Sequence, residues 1–156
     1  YYSAFSPIPD SSRALPLVRP PLMREHRLYQ ADWLMRFYGF RQPEILEGSP
    51  DGMLDLEIDP KLAWALRNRS LFPLDVNRAS RETLLRVPGL GVRVVDRIVE
   101  TRRFRRLRIE DVGRLCKSLG KVRPFITAVG WSPGSLIDSP RLRERLVPKP
   151  VQLSLL

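Results

Sequence analysis

The chain has 156 residues, 43% of them hydrophobic, and a formal net charge of +10 from 27 Lys and Arg against 17 Asp and Glu. That size buries one modest core, with room for two lobes, and no apolar stretch is long enough to span a membrane. One Cys and one His exclude an internal disulfide and any Cys/His metal set, which suits a reducing, cytoplasmic setting.

The chain opens YYSAFSPIPD, without an initiating Met. Residues 1–5 read as a buried strand, since Tyr, Phe and Ala suit a packed sheet. A lone strand needs partners, so the expectation is a carboxy-terminal piece of a longer protein. Residues 1–21 are then a last strand followed by an extended, Pro-rich linker, SPIPDSSRALPLVRPPL.

Residues 22–73 read as a helical connecting region. MREHRLYQADWLMRFYGF places Leu28, Trp33, Leu34 and Phe37 on one side of a helix. Trp33, Phe37, Tyr38 and Trp64 are expected in the core, base stacking being the other use of such rings. Glu25, His26 and Asp32 read as ion-pairing or capping groups rather than catalytic ones. RQPEILEGSPDG is a loop, and Pro60 begins a short helix holding Leu62, Ala63 and Leu66. Asp55, Glu57 and Asp59 alternate in DLEID, as on a strand with one wet face, the other reading being a carboxylate row for a cation.

Charge then becomes uneven. Residues 1–73 hold nine basic and nine acidic side chains, whereas residues 74–127 hold 14 basic and six acidic ones. A basic field confined to one segment is the footprint of phosphate binding. Within that segment Ser80 is placed to cap a helix through Leu84, Leu85 and Val87, which Pro88 stops. Gly89 and Gly91 supply the freedom for a tight turn and Leu90 plugs the gap between helices. Val95, Ile98 and Val99 carry the next helix back onto Leu84 and Val87. Such a Pro-Gly-x-Gly turn leaves amides pointing outward at a helix N-terminus, where a phosphate oxygen fits; the bland reading is a plain connector. TRRFRRLR at 101–108 is the densest basic run, serving phosphate, the helix dipole, or both. A further helix follows, with Val112, Leu115 and Leu119 at its spacing and Cys116 as a small core residue. Leu119, Gly120, Lys121 and Val122 form a worn half-hairpin that reads as packing support for the first.

DVNRASRETLLRVPGLGVRVVDRIVETRRF resembles the helix-hairpin-helix module of DNA repair and DNA uptake proteins. The resemblance implies contact with the DNA backbone without sequence preference, through Pro88, Gly89, Leu90 and Gly91, with Arg93, Arg97 and Arg102 adding charge. It also implies a monovalent cation at the hairpin. The order YYSAFSPIPD, REHRLYQADWL, FYGF, DPKLAWALRN, FPLDVNRAS resembles the carboxy-terminal region of radical SAM proteins of DNA modification and repair. That family implies a (β/α) barrel upstream, of which residues 1–5 would be the last strand, carrying a [4Fe–4S] cluster and S-adenosylmethionine. One Cys cannot hold that cluster, so no cofactor and no catalytic or metal residue is expected in this chain.

Residues 128–156 are expected as an extended tail. The final residues Gln152, Leu153, Ser154, Leu155 and Leu156 resemble the peptide by which bacterial replication and repair proteins bind the sliding clamp, and Gln152, Leu153, Leu155 and Leu156 would make the contacts; the other reading docks them on their own domain. The sequence thus points to a mainly α fold: a helix-hairpin-helix module preceded by a helical region and a remnant strand. The function expected is DNA binding as part of a radical SAM enzyme, as the resemblance implies, or as a stand-alone DNA-binding or protein-interaction scaffold.

Overall fold

A computed structural model describes residues 6, 7, 14 and 18–148. Over these the chain is mainly α-helical, with one two-stranded parallel sheet. The expected strand at 1–5, most of the Pro-rich crossing and the clamp-like residues 152–156 lie outside the described residues.

Helix α1 (Leu22–Tyr38) ends where Gly39 adopts a left-handed φ of 69° and gives its amide to the Leu34 carbonyl, a stop that Gly makes without strain. Its buried face is Arg27, Ala31 and Leu34. Trp33 and Phe37, expected in the core, are instead 57% and 48% exposed, and Leu28 is exposed as well. The helix carries apolar residues on two sides, and only one meets α2 (Gln42–Leu46) and α3 (Pro60–Arg67). Arg27 is tolerated on the inner side because its guanidinium donates to the Leu56 carbonyl at 3.0 Å and to Gln30 at 2.7 Å.

The stretch expected as a loop contains α2, whose start is fixed when Glu44 accepts the Arg41 amide at 3.2 Å. DLEID is not a strand. Asp55 accepts the amides of Glu57 and Ile58 at 2.8 and 3.2 Å, a side-chain turn that competes with extended pairing. Asp59 caps α3 by accepting the Leu62 amide at 2.9 Å, and Arg143 takes Asp55 and Glu57 at 2.7 and 2.6 Å. All three carboxylates therefore have a structural partner and none is arranged for a cation. α3 is the centre of the molecule, buried from Pro60 to Ala65. Trp64 meets Phe40 edge-on with centroids 5.3 Å apart and Phe72 at 6.3 Å, and Phe72 meets Phe125 at 5.1 Å.

Strand β1 (Leu74–Asp75) opens the basic segment and β2 (Ile126–Thr127) closes it, paired Leu74 to Ile126 and Asp75 to Thr127. Between them lie α4 (Arg81–Leu84), α5 (Val92–Thr101), α6 (Ile109–Leu115) and α7 (Leu119–Val122). Asn77 holds the connection after α5 by pairing both the amide and the carbonyl of Leu107, at 2.7 and 3.1 Å. Cys116 is buried just past α6, as expected, and burial pushes its thiol pKa up.

The segment expected as an extended tail folds over residues 128–147. Trp131 donates to the Arg123 carbonyl at 3.1 Å, and α8 (Leu142–Leu146) buries Leu142 and Leu146 beside Ile137. A high Pro content masked two apolar residues four apart, enough for one helical face. No helix among the described residues is long and apolar enough to cross a membrane.

Candidate nucleic-acid interface

The turn between α4 and α5 is built from local rules. Ser80 caps α4 by accepting the Thr83 amide at 3.1 Å. The helix ends at Leu84, sooner than the Pro88 stop implied, because Arg86 and Val87 donate to Thr83 and Leu84 in tighter turns at 3.0 and 3.1 Å. Leu90 donates to Val87 at 3.2 Å and sits fully within the core, together with Pro88, Leu84, Val95 and Ile98.

The two glycines differ. Gly89 has φ 84°, and a Cβ added to it would lie 2.9 Å from Val122 Cγ2 and 3.4 Å from Lys121 Cβ. Gly91 has φ −84° and ψ 164°, an extended backbone open to any residue, so the expectation that both need glycine freedom is corrected. The contact of Gly89 with α7 also gives the worn half-hairpin its expected place as a support.

Gly91 is the N-cap of α5 and no side chain caps it. The amides of Gly91, Val92, Arg93 and Val94 therefore have no acceptor within the helix, the first such bond running from Val95 to Gly91 at 3.0 Å. Arg93 and Arg97 are exposed one turn apart on α5. Cation and amides together make a site where an anion is stabilised by partial positive charge and by hydrogen bonds. Arg102 is placed differently: it donates to the carbonyls of Val76 and Ala79 at 3.1 and 2.6 Å, pinning α5 to the loop after β1. Arg105 pairs both oxygens of Asp111 at 2.8 Å, and this contact leads the causes that bring the Asp111 carboxyl down to about 2. Arg103, Arg106 and Arg108 are exposed as Arg105 is, with Phe104 85% exposed among them.

Sequence reasoning missed what holds the turn from below. The Lys61 side chain lies buried in α3 with its Nζ 2.6 Å from the Leu90 carbonyl and 4.5 Å from the centre of the Tyr38 ring. Burial first, and the nearby Arg86 to a lesser degree, lower its pKa to about 7 against the pull of Asp59. Arg86 itself crosses from the turn to Gly39 at 3.0 Å and Glu44 at 2.9 Å, with its guanidinium 3.8 Å above the Phe40 ring. The available signal was a lysine set inside PKLAWAL, where every neighbour is apolar.

Among the described residues no group of three His, Cys, Asp or Glu could hold a metal ion. Cys116 alone, buried and with a raised thiol pKa, does not fit a [4Fe–4S] cluster, which needs several thiolates. No known family model matches the chain, and neither a curated protein nor a solved structure does.

Proposed function

We propose that the α4–α5 hairpin and the exposed arginines of α5 bind the phosphate backbone of DNA without reading its sequence. The observation that carries this is the uncapped first turn of α5 beside Arg93 and Arg97, within a segment of 14 basic and six acidic side chains. The turn resembles the helix-hairpin-helix motif, and the order of the preceding segments resembles the carboxy-terminal region of radical SAM proteins of DNA modification and repair. On that reading this chain grips the backbone, and any chemistry on base or sugar belongs to parts outside it.

A monovalent cation bound at the turn does not suit the residues present. The Val87 carbonyl accepts from Leu90, and the Leu90 carbonyl accepts from Lys61, whose ammonium form would repel a second cation. The Lys61 amine already occupies the Leu90 carbonyl, and binding is proposed to proceed without added metal ion.

Fluorescence anisotropy with several labelled duplexes of unrelated sequence, across a salt series, tests the reading. Affinity should fall steeply with salt and differ little between sequences. Arg93→Ala should lose about 1 kcal/mol of binding and lessen the salt dependence while its circular dichroism stays helical. A flat salt response, a strong preference for one sequence, or an Arg93→Ala chain that no longer folds would overturn the proposal.

A further inference from the structure

α1 presents Trp33 and Phe37 to solvent as a pair, ring centroids 4.2 Å apart and planes tilted by 44°. Two large aromatics at i and i+4 left outside the core need an explanation, since apolar surface of that size is ordinarily covered. Their position supplies one. A groove of about 440 Å³ runs between Trp33, Phe37 and Tyr38 on one side and Gly91, Val92 and Arg93 on the other. The aromatic wall therefore faces the same turn that we assign to phosphate. A volume of this size lies within the range of small-molecule clefts, about 300–1,000 Å³.

We infer that this groove takes an unpaired nucleobase of the strand whose phosphate rests on the hairpin, so that the chain prefers DNA with a single-stranded stretch over blunt duplex. The inference rests on the backbone-binding reading above and names its substrate class. A base joined to a phosphate needs, within one nucleotide's reach, a π-face to stack on and a positive group for the charge. Trp33 and Phe37 supply the first, Arg93 and the α5 amides the second. Stacking on an aromatic face tolerates any base, in keeping with a hairpin that reads no sequence. Paired bases cannot reach the groove, because their faces are covered by their neighbours in the duplex. The cationic setting distinguishes this occupant from an apolar peptide, to which Arg93 offers nothing.

The test measures binding of the whole chain to three labelled probes at one salt concentration: a blunt duplex, the same duplex with a single-stranded overhang, and that duplex with an abasic overhang. The overhang should tighten binding about ten-fold, and the abasic overhang, with the same phosphates, should not. The double substitution Trp33→Ala, Phe37→Ala should remove the gain and leave blunt-duplex affinity unchanged. Trp33→Phe should keep it, and quenching of the tryptophan emission by the overhang should be weaker in that variant. Equal gains from the normal and abasic overhangs, or none from either while blunt duplex still binds, would overturn the stacking site and leave backbone binding intact. Absence of binding to every probe would overturn both. A double variant that melts earlier, or passes from dimer to monomer, would show that the rings are covered by this chain or a second copy, and would overturn the inference as well.

Discussion

Gly89→Ala should unfold at clearly lower denaturant than the wild-type chain, with a loss of about 2–4 kcal/mol, while Gly91→Ala, at an N-cap where Ala is poorer than Gly, should lose about 0.5–1 kcal/mol. Two costs meet at Gly89. Its φ of 84° lies where an L side chain is strained, by about 1–2 kcal/mol, and its added Cβ would press to 2.9 Å on Val122 Cγ2. Val122 is itself fully buried and has no free direction in which to yield, so overpacking adds to the strain. At Gly91 the backbone is extended and a Cβ would meet only the Tyr38 hydroxyl, at 3.8 Å. Urea titration of both variants makes the comparison, and DNA binding should be lost with Gly89→Ala. If Gly91→Ala is the more damaging of the two, the assignment of conformational need within the turn is wrong.

The second large effect concerns pH. The wild-type chain should gain stability as pH rises from about 7 toward 10.5, by up to about 5 kcal/mol for a shift of that size, and Lys61→Met should abolish that gain. The sign follows from where the proton is held. With a pKa near 7 in the folded chain and near 10.5 when unfolded, Lys61 binds its proton more tightly in the unfolded state across that window. Raising the pH removes a proton that only the unfolded chain retains, so folding is favoured. Below about pH 7 both states are protonated, the folded one carries a buried charge, and stability levels off at its lower value. Lys61→Met removes the titration but leaves the Leu90 carbonyl without its donor, so the variant should be less stable than wild type at high pH. Denaturation midpoints of both chains across the window decide it. A wild-type curve parallel to that of Lys61→Met would mean that Lys61 keeps an ordinary pKa.

The parts legible in the sequence are those set by neighbours along the chain. Ser80 as a cap, Pro60 at the head of α3, Leu90 as a plug and the Val95–Ile98 stripe each follow from spacing of a few residues, and the structure places them so. What failed depended on distant partners. α1 has two apolar sides, and nothing local says which one α2 and α3 cover. The DLEID alternation matches a strand, but Arg143, 88 residues beyond Asp55, and the cap at Asp59 make it a turn. Charge counting located the basic segment, yet it could not separate Arg93, free at the surface, from Arg102 and Arg105, whose guanidiniums are engaged within the fold. Lys61 was overlooked because a lone lysine is ordinarily a surface residue, and its burial depends on the carbonyl of Leu90, 29 positions away.

The edge-on aromatic series from Phe40 through Trp64 and Phe72 to Phe125 runs across the junction at residue 73, where the connecting region was expected to give way to the basic segment. One continuous core holds residues from both sides of that point. On the proposed DNA-binding reading the molecule would act as a ruler. Whatever is carried on α1 keeps a set offset from Gly89, and its footprint on a bound strand would be counted in a fixed number of nucleotides, with no slack from a tether.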